Sequence, residues 1–266
     1  MTEVVPTADY RGPESLYLAD VRGGSQRLVT TTTAFTPWGR WSPDGARFFF
    51  ETFNDAACGE FTFWSAAEDG GAVHRLGSGQ LFAWGPKGSY AIERGCSGAG
   101  VLPAGPLVFT DRSEREHVIT NRWAAAMAVS PRGDRIAYET YRTVPSGTVP
   151  TLHIARTDGT GEIAAIHKAS SAAWSPDGGR LAFVRGAWSG SIAVAGAGGR
   201  GIRTVARGSA LRIPTWSPDG RRIAYARGFG GLYTVRPDET GTRRVARAHV
   251  LHLWWSLDSR RIYYDG

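Results

Sequence analysis

Sulfur and lysine are scarce in this chain. Its 266 residues include two cysteines, Cys58 and Cys96, two methionines, and two lysines, Lys87 and Lys168. Two cysteines cannot build the multi-bridge framework of a small disulfide-stapled protein. No run of eighteen apolar residues occurs, which excludes a hydrophobic membrane-spanning helix. The opening Met1-Thr2-Glu3-Val4-Val5-Pro6 lacks the basic and apolar regions of an export signal, although the mature part of an exported protein would look the same. The six histidines include no H-x-H or H-E-x-x-H spacing, and His249 and His252, three apart on one strand, would face opposite sides. No metal and no cofactor are therefore expected. A G-x-S-x-G nucleophile elbow is also missing, and with it serine-hydrolase chemistry of that type.

Turn formers and aromatics are what the chain has in quantity. Thirty-five glycines and fourteen prolines suit a backbone that reverses direction many times, and 42% apolar with 11% aromatic content is ample for a packed core. The formal charge of +7 is lopsided. Residues 1–150 carry 14 basic and 16 acidic side chains, net −2, whereas residues 151–266 carry 17 and 8, net +9. A basic half can attract nucleic acid, anionic lipid or an acidic partner. A high-GC coding sequence, which favours arginine over lysine, produces the same balance, so charge alone names no partner.

A ten-residue phrase recurs along the whole chain: Trp41-SPDGARFFF, Trp84-GPKGSYAIE, Val129-SPRGDRIAY, Trp174-SPDGGRLAF, Trp216-SPDGRRIAY and Trp255-SLDSRRIYY. Successive copies begin 43, 45, 45, 42 and 39 residues apart. Six units of roughly 40–45 residues are the signature of a β-propeller. The phrase reads as strand, tight turn, strand. Proline presets φ, aspartate caps backbone N–H groups, glycine takes positive φ, and Arg-Ile-Ala-Tyr alternates as a half-buried strand would. A second hairpin comes next in each repeat, at Asp69-Gly70-Gly71, Asp158-Gly159-Thr160 and Pro237 to Gly241, before a short closing strand. Gly196-Ala-Gly198-Gly-Arg-Gly201 matches G-x-G-x-x-G, but Ile202-Arg-Thr-Val205 directly after it reads as a strand, so a glycine-rich hairpin turn is expected rather than a nucleotide loop.

Each repeat is thus expected to be a four-stranded antiparallel sheet, strands A to D from the axis outward. The sixth stops at Gly266 after strand B, and residues 15–30 read as strands C and D with no A or B before them. The expected fold is an all-β, six-bladed β-propeller over residues 15–266, its last blade completed by the N-terminal strands, behind a tail of residues 1–14. Closure of this kind removes exposed sheet edges.

The Trp-Ser-Pro-Asp-Gly-x-Arg-Ile-Ala-Tyr phrase at Trp41, Trp174 and Trp216 resembles the WD-repeat-related repeat of the TolB family, which also occurs in propellers of prolyl-oligopeptidase-type peptidases. The resemblance spans residues 15–266. Repeats two, three and six depart from it, with Lys87 or Arg132 at the turn aspartate, Val129 for the tryptophan, and Leu257 and Ser259 in place of proline and glycine. It implies a bacterial, extracytoplasmic (periplasmic or secreted) propeller that docks protein partners. TolB carries a further N-terminal α/β domain that residues 1–14 cannot supply, so its own partners do not carry over.

Cys58 and Cys96 fall in B–C loops of adjacent repeats, on one face, where a disulfide or two separate thiols are both open readings. The B–C loops Thr52–Gly59, Arg94–Pro106, Thr140–Pro150 and Gly186–Gly190 are longer and more varied than the SPDG turns opposite, and binding residues concentrate on such loops. The starts of the A strands open on the same face with Trp38, Arg40, Arg122, Trp123, Arg212, His252 and Trp254. With Tyr141 and Trp188 they would line an aromatic and arginine-rich funnel; inter-blade packing is the competing role for each. No pair of carboxylates or nucleophile with base stands out, so no catalytic residue is assigned. The favoured function is a monomeric, non-catalytic module that binds a protein partner, with a carbohydrate or small anionic ligand also open. The alternative is a propeller lyase or hydrolase with its site in the funnel; nucleic-acid binding is the least favoured reading.

Overall fold

The computed structural model describes residues 14–18, 26–32, 35–54, 60–94, 105–145, 147–186, 189–228 and 230–266. Two compact units divide the chain, Met1–Trp123 and Ala124–Gly266. In the first, β1 (Glu14–Leu18) pairs with β2 (Arg27–Thr32). After this pair comes a four-stranded sheet of β3 (Phe35–Trp41), β4 (Arg47–Asn54), β5 (Glu60–Ala67) and β6 (His74–Gly79). The next sheet is β7 (Leu81–Trp84), β8 (Tyr90–Glu93), β9 (Leu107–Thr110) and β10 (Glu116–Thr120).

The second unit repeats the pattern. Its first sheet is β11 (Met127–Val129), β12 (Arg135–Val144), β13 (Gly147–Arg156) and β14 (Glu162–His167). Its second is β15 (Ala169–Trp174), β16 (Arg180–Arg185), β17 (Ser189–Gly196) and β18 (Arg203–Ser209). Its third is β19 (Leu211–Trp216), β20 (Ile223–Arg227), β21 (Leu232–Val235) and β22 (Arg243–Ala246). A final pair, β23 (His252–Trp255) and β24 (Ile262–Asp265), ends the chain. Within every sheet the strands lie in chain order and pair antiparallel, as the repeat predicts.

The SPDG turn works as its residues require. Ser175 Oγ donates to Asp177 Oδ1 at 2.6 Å and accepts Arg180 N–H at 2.9 Å, while Asp177 also accepts Gly179 N–H at 3.0 Å. Gly178 sits at φ +65° and its N–H closes the turn on Ser175 O at 2.8 Å. The same set recurs around Ser42, Ser217 and Ser256. Where Arg132 replaces the aspartate, Asp134 supplies the carboxylate to Ser130 Oγ at 2.9 Å.

Burial corrects one expectation. Strands β12, β16 and β20 are not half-buried; residues 136–139, 181–184 and 223–226 are buried without a break. Alternation here sorts side chains between two neighbouring sheets. Phe48 and Phe50 pack with Leu16 on one side of β4, while Phe49 packs with Phe63 and Ile92 on the other. In β16, Leu181 and Phe183 join Leu152 and Ile154, and Ala182 and Val184 join Ile223 and Tyr225. A sheet covered on both faces needs apolar residues at both parities.

The repeat tryptophan links sheets within the second unit. Trp174, Trp216 and Trp255 each donate Nε1–H to a carbonyl in the first strand of the preceding sheet: Ala128 at 3.0 Å, Ala173 at 3.1 Å and Thr215 at 3.1 Å. A buried indole N–H needs such an acceptor. A second correction concerns Thr140–Pro150, expected to be a loop. Most of it is an extension of the β12–β13 ladder, paired out to Val144 and Gly147, as its alternating β-branched and aromatic residues favour. The Gly196–Gly201 segment is the expected turn between β17 and β18, with Gly199 at φ +74°. Among the described residues no helix is long and apolar enough to cross a membrane.

Candidate functional site

In the second unit, two A strands that pack side by side, β19 and β23, bring three of the expected residues to one end of their sheets. Alternation along β23 puts His252 and Trp254 on one face and buried Leu253 on the other. The two rings stack with centroids 5.9 Å apart, and Trp254 is 52% exposed. Asp265 of β24 fixes the imidazole, 3.1 Å from His252 Nδ1, and accepts His252 N–H at 2.9 Å. His249 lies ahead of β23 rather than on it, which corrects the expected strand geometry of that histidine pair.

Arg212, near the start of β19, donates Nη2–H to Gly228 O at 3.3 Å. Its Nε is buried and finds no acceptor among the described residues.

Tyr141 belongs to a different cluster. Its hydroxyl donates to Glu139 Oε2 at 3.0 Å, and Ser171 N–H donates to Glu139 Oε1 at 2.5 Å. Glu139 is 4% exposed and borders a cavity of about 80 Å3 with Met127, Leu152 and Ser171. Burial pushes its carboxyl above the usual range against the opposing hydrogen bonds from Ser171, Tyr141 and Ala172. The Tyr141 phenol is pushed up to about 12, first by burial and then by the Glu139 charge, so it stays a donor. Sequence reasoning missed Glu139. A signal existed: Glu51, Glu139 and Asp265 stand ten residues after their repeat's first position, and Glu93 nine after, in a shorter turn.

Of the remaining expected residues, Trp38 and Arg40 lie on β3, with Arg40 exposed. Arg122 and Trp123 come after β10 in a bend and precede β11 instead of starting it; Arg122 N–H donates to Thr120 Oγ1 at 3.1 Å. Trp188, Cys58 and Cys96 lie outside the described residues.

No family model matches this chain, and no curated protein does. Solved structures do. An oligogalacturonate lyase in complex with manganese superposes with a TM-score of 0.71 at 16% identity, covering 93% of this chain and 78% of that one. Oligogalacturonate lyase from Vibrio parahaemolyticus gives 0.69 at 11% identity, with coverages of 93% and 78%. TolB from Acinetobacter baumannii gives 0.53 at 16% identity, covering 88% of this chain and 60% of TolB. The fold is the TolB-like β-propeller. At these identities the likeness concerns fold alone, and TolB-like propellers include both TolB and a lyase. Among the described residues of this TolB-like chain, no group of three or more His, Cys, Asp or Glu could hold a metal ion.

Proposed function

We propose that this TolB-like propeller is a non-catalytic binding module that docks a protein partner at the end of the sheets where β19 and β23 begin, in an extracytoplasmic compartment. The exposed His252–Trp254 stack carries the reading. A flat side chain of the partner would cover this stack, which is otherwise costly aromatic surface in water, and a carboxylate would pair with the half-buried Arg212 guanidinium. Aromatic and arginine side chains are enriched at protein interfaces and among their hot spots.

The test starts from a photo-crosslinker at position 254, which identifies the partner, followed by calorimetry with that partner purified. Trp254→Ala and Arg212→Gln should each weaken binding by tenfold or more, whereas a substitution at Arg112, in a turn of the first unit, should not. Metal-dependent cleavage of oligogalacturonate by the wild-type chain would replace this reading with the lyase one.

A further inference from the structure

At the opposite end of β19 the second unit has an open groove of about 460 Å3, lined by Arg180, Gly220, Arg221, Arg236, Pro237 and Asp238. Its walls come from the start of β16, the SPDG turn between β19 and β20, and the turn between β21 and β22. We propose that this groove binds a small ligand carrying adjacent phosphate groups, a phosphoanhydride or closely spaced phosphate esters.

Three guanidinium groups and one carboxylate line the groove, and among the described residues none of the three makes an ion pair within 4.0 Å, although, after the hydrogen bonds of their turns, the charges of Arg180, Arg221 and Arg236 help hold Asp177, Asp219 and Asp238 below their ordinary range. The acids close by are already committed to their own turns. Asp238 accepts Thr240 N–H at 3.0 Å and Thr240 Oγ1–H at 2.6 Å. Asp219 accepts Ser217 Oγ–H at 2.6 Å and Arg221 N–H at 3.0 Å. Arg180 is positioned by a cation–π contact, its Cζ 4.7 Å from the centre of the Trp216 ring.

Charge density selects the ligand. A carboxylate brings one charge and is satisfied by one guanidinium fork. Three forks around one small groove instead suit three or four charges on neighbouring groups, which phosphoanhydrides supply. A nucleic-acid duplex would need arginines along a track instead of around one depression.

Calorimetry with inorganic triphosphate at about 0.15 M salt tests the proposal on the full chain. Saturable binding is expected, stronger for triphosphate than for monophosphate. Arg221→Gln and Arg236→Gln, both exposed, should each weaken it by about tenfold with the melting midpoint unchanged. Arg180→Gln should do the same, and Arg112→Gln in the first unit should have no effect. Equal weakening by Arg112→Gln, equal affinity for monophosphate, absence of saturation, or preference for a DNA duplex over triphosphate would each overturn the proposal.

Discussion

Replacing Glu139 by alanine should destabilise the chain by about 2–4 kcal/mol, because the substitution orphans the Ser171 and Ala172 N–H groups at about 1–3 kcal/mol each, and the cavity alongside can admit a water that recovers part of the loss. For a domain of this size the melting midpoint should drop by on the order of 10 °C. Glutamine keeps the volume and one acceptor oxygen, so Glu139→Gln should cost about 1 kcal/mol or less. The two variants also differ in pH dependence. The folded carboxyl titrates above its ordinary 4.5, so the native state holds this proton more tightly than the unfolded state. Its contribution is therefore complete below the unfolded pKa and is lost as pH rises through the folded one. Wild-type stability should fall over that window relative to Glu139→Gln, which has no such group. Urea unfolding of all three proteins from about pH 4 to pH 8 measures this. A wild-type-to-Gln difference that stays flat with pH, or an alanine variant as stable as wild type, would refute the assignment of Glu139 as a buried, proton-binding strut.

The turn aspartates should behave in the opposite sense. Hydrogen bonds from Ser175 and Gly179 hold Asp177 below its ordinary 3.8, so its contribution is present above that value and disappears as pH falls through the lowered one. Asp177→Ala should cost about 1 kcal/mol at neutral pH and less in acid; equal losses by urea titration at both would contradict the cap. If residues 15–30 complete the sixth blade as the repeat count suggests, deleting residues 1–30 should lower the melting midpoint by on the order of 10 °C, since Leu16 and Val29 pack on Phe48, Phe50 and Ala66. Deleting residues 1–12 should leave it nearly unchanged, and identical melting of the two truncations would dismiss the N-terminal strands as a structural element.

The repeats were legible because each phrase states its own backbone: Trp216 ends β19, Gly220 takes φ +68°, and Arg222 begins the return that becomes β20. What they conceal is the identity of the neighbour. Ile136, Ala137 and Tyr138 look half-buried in isolation, and only stacking of one sheet on the next buries both parities. Long-range chemistry was hidden for the same reason. Glu139 meets Ser171 across 32 positions, and Arg180 is a repeat residue whose partner, Trp216, belongs to the following sheet. In the sequence Thr140–Pro150 looks like a loop because its length differs from that of the other repeats, whereas the extra residues prolong a ladder.

The indole links of the second unit also bear on how such a chain can change its number of sheets. Each tryptophan reaches a main-chain carbonyl, at Ala128, Ala173 or Thr215, and a carbonyl is the same whatever side chain it carries. A duplicated or transplanted sheet would therefore meet its new neighbour with the joint already made. The joint asks nothing of the loops, which are left to diverge while the connection between sheets is inherited intact.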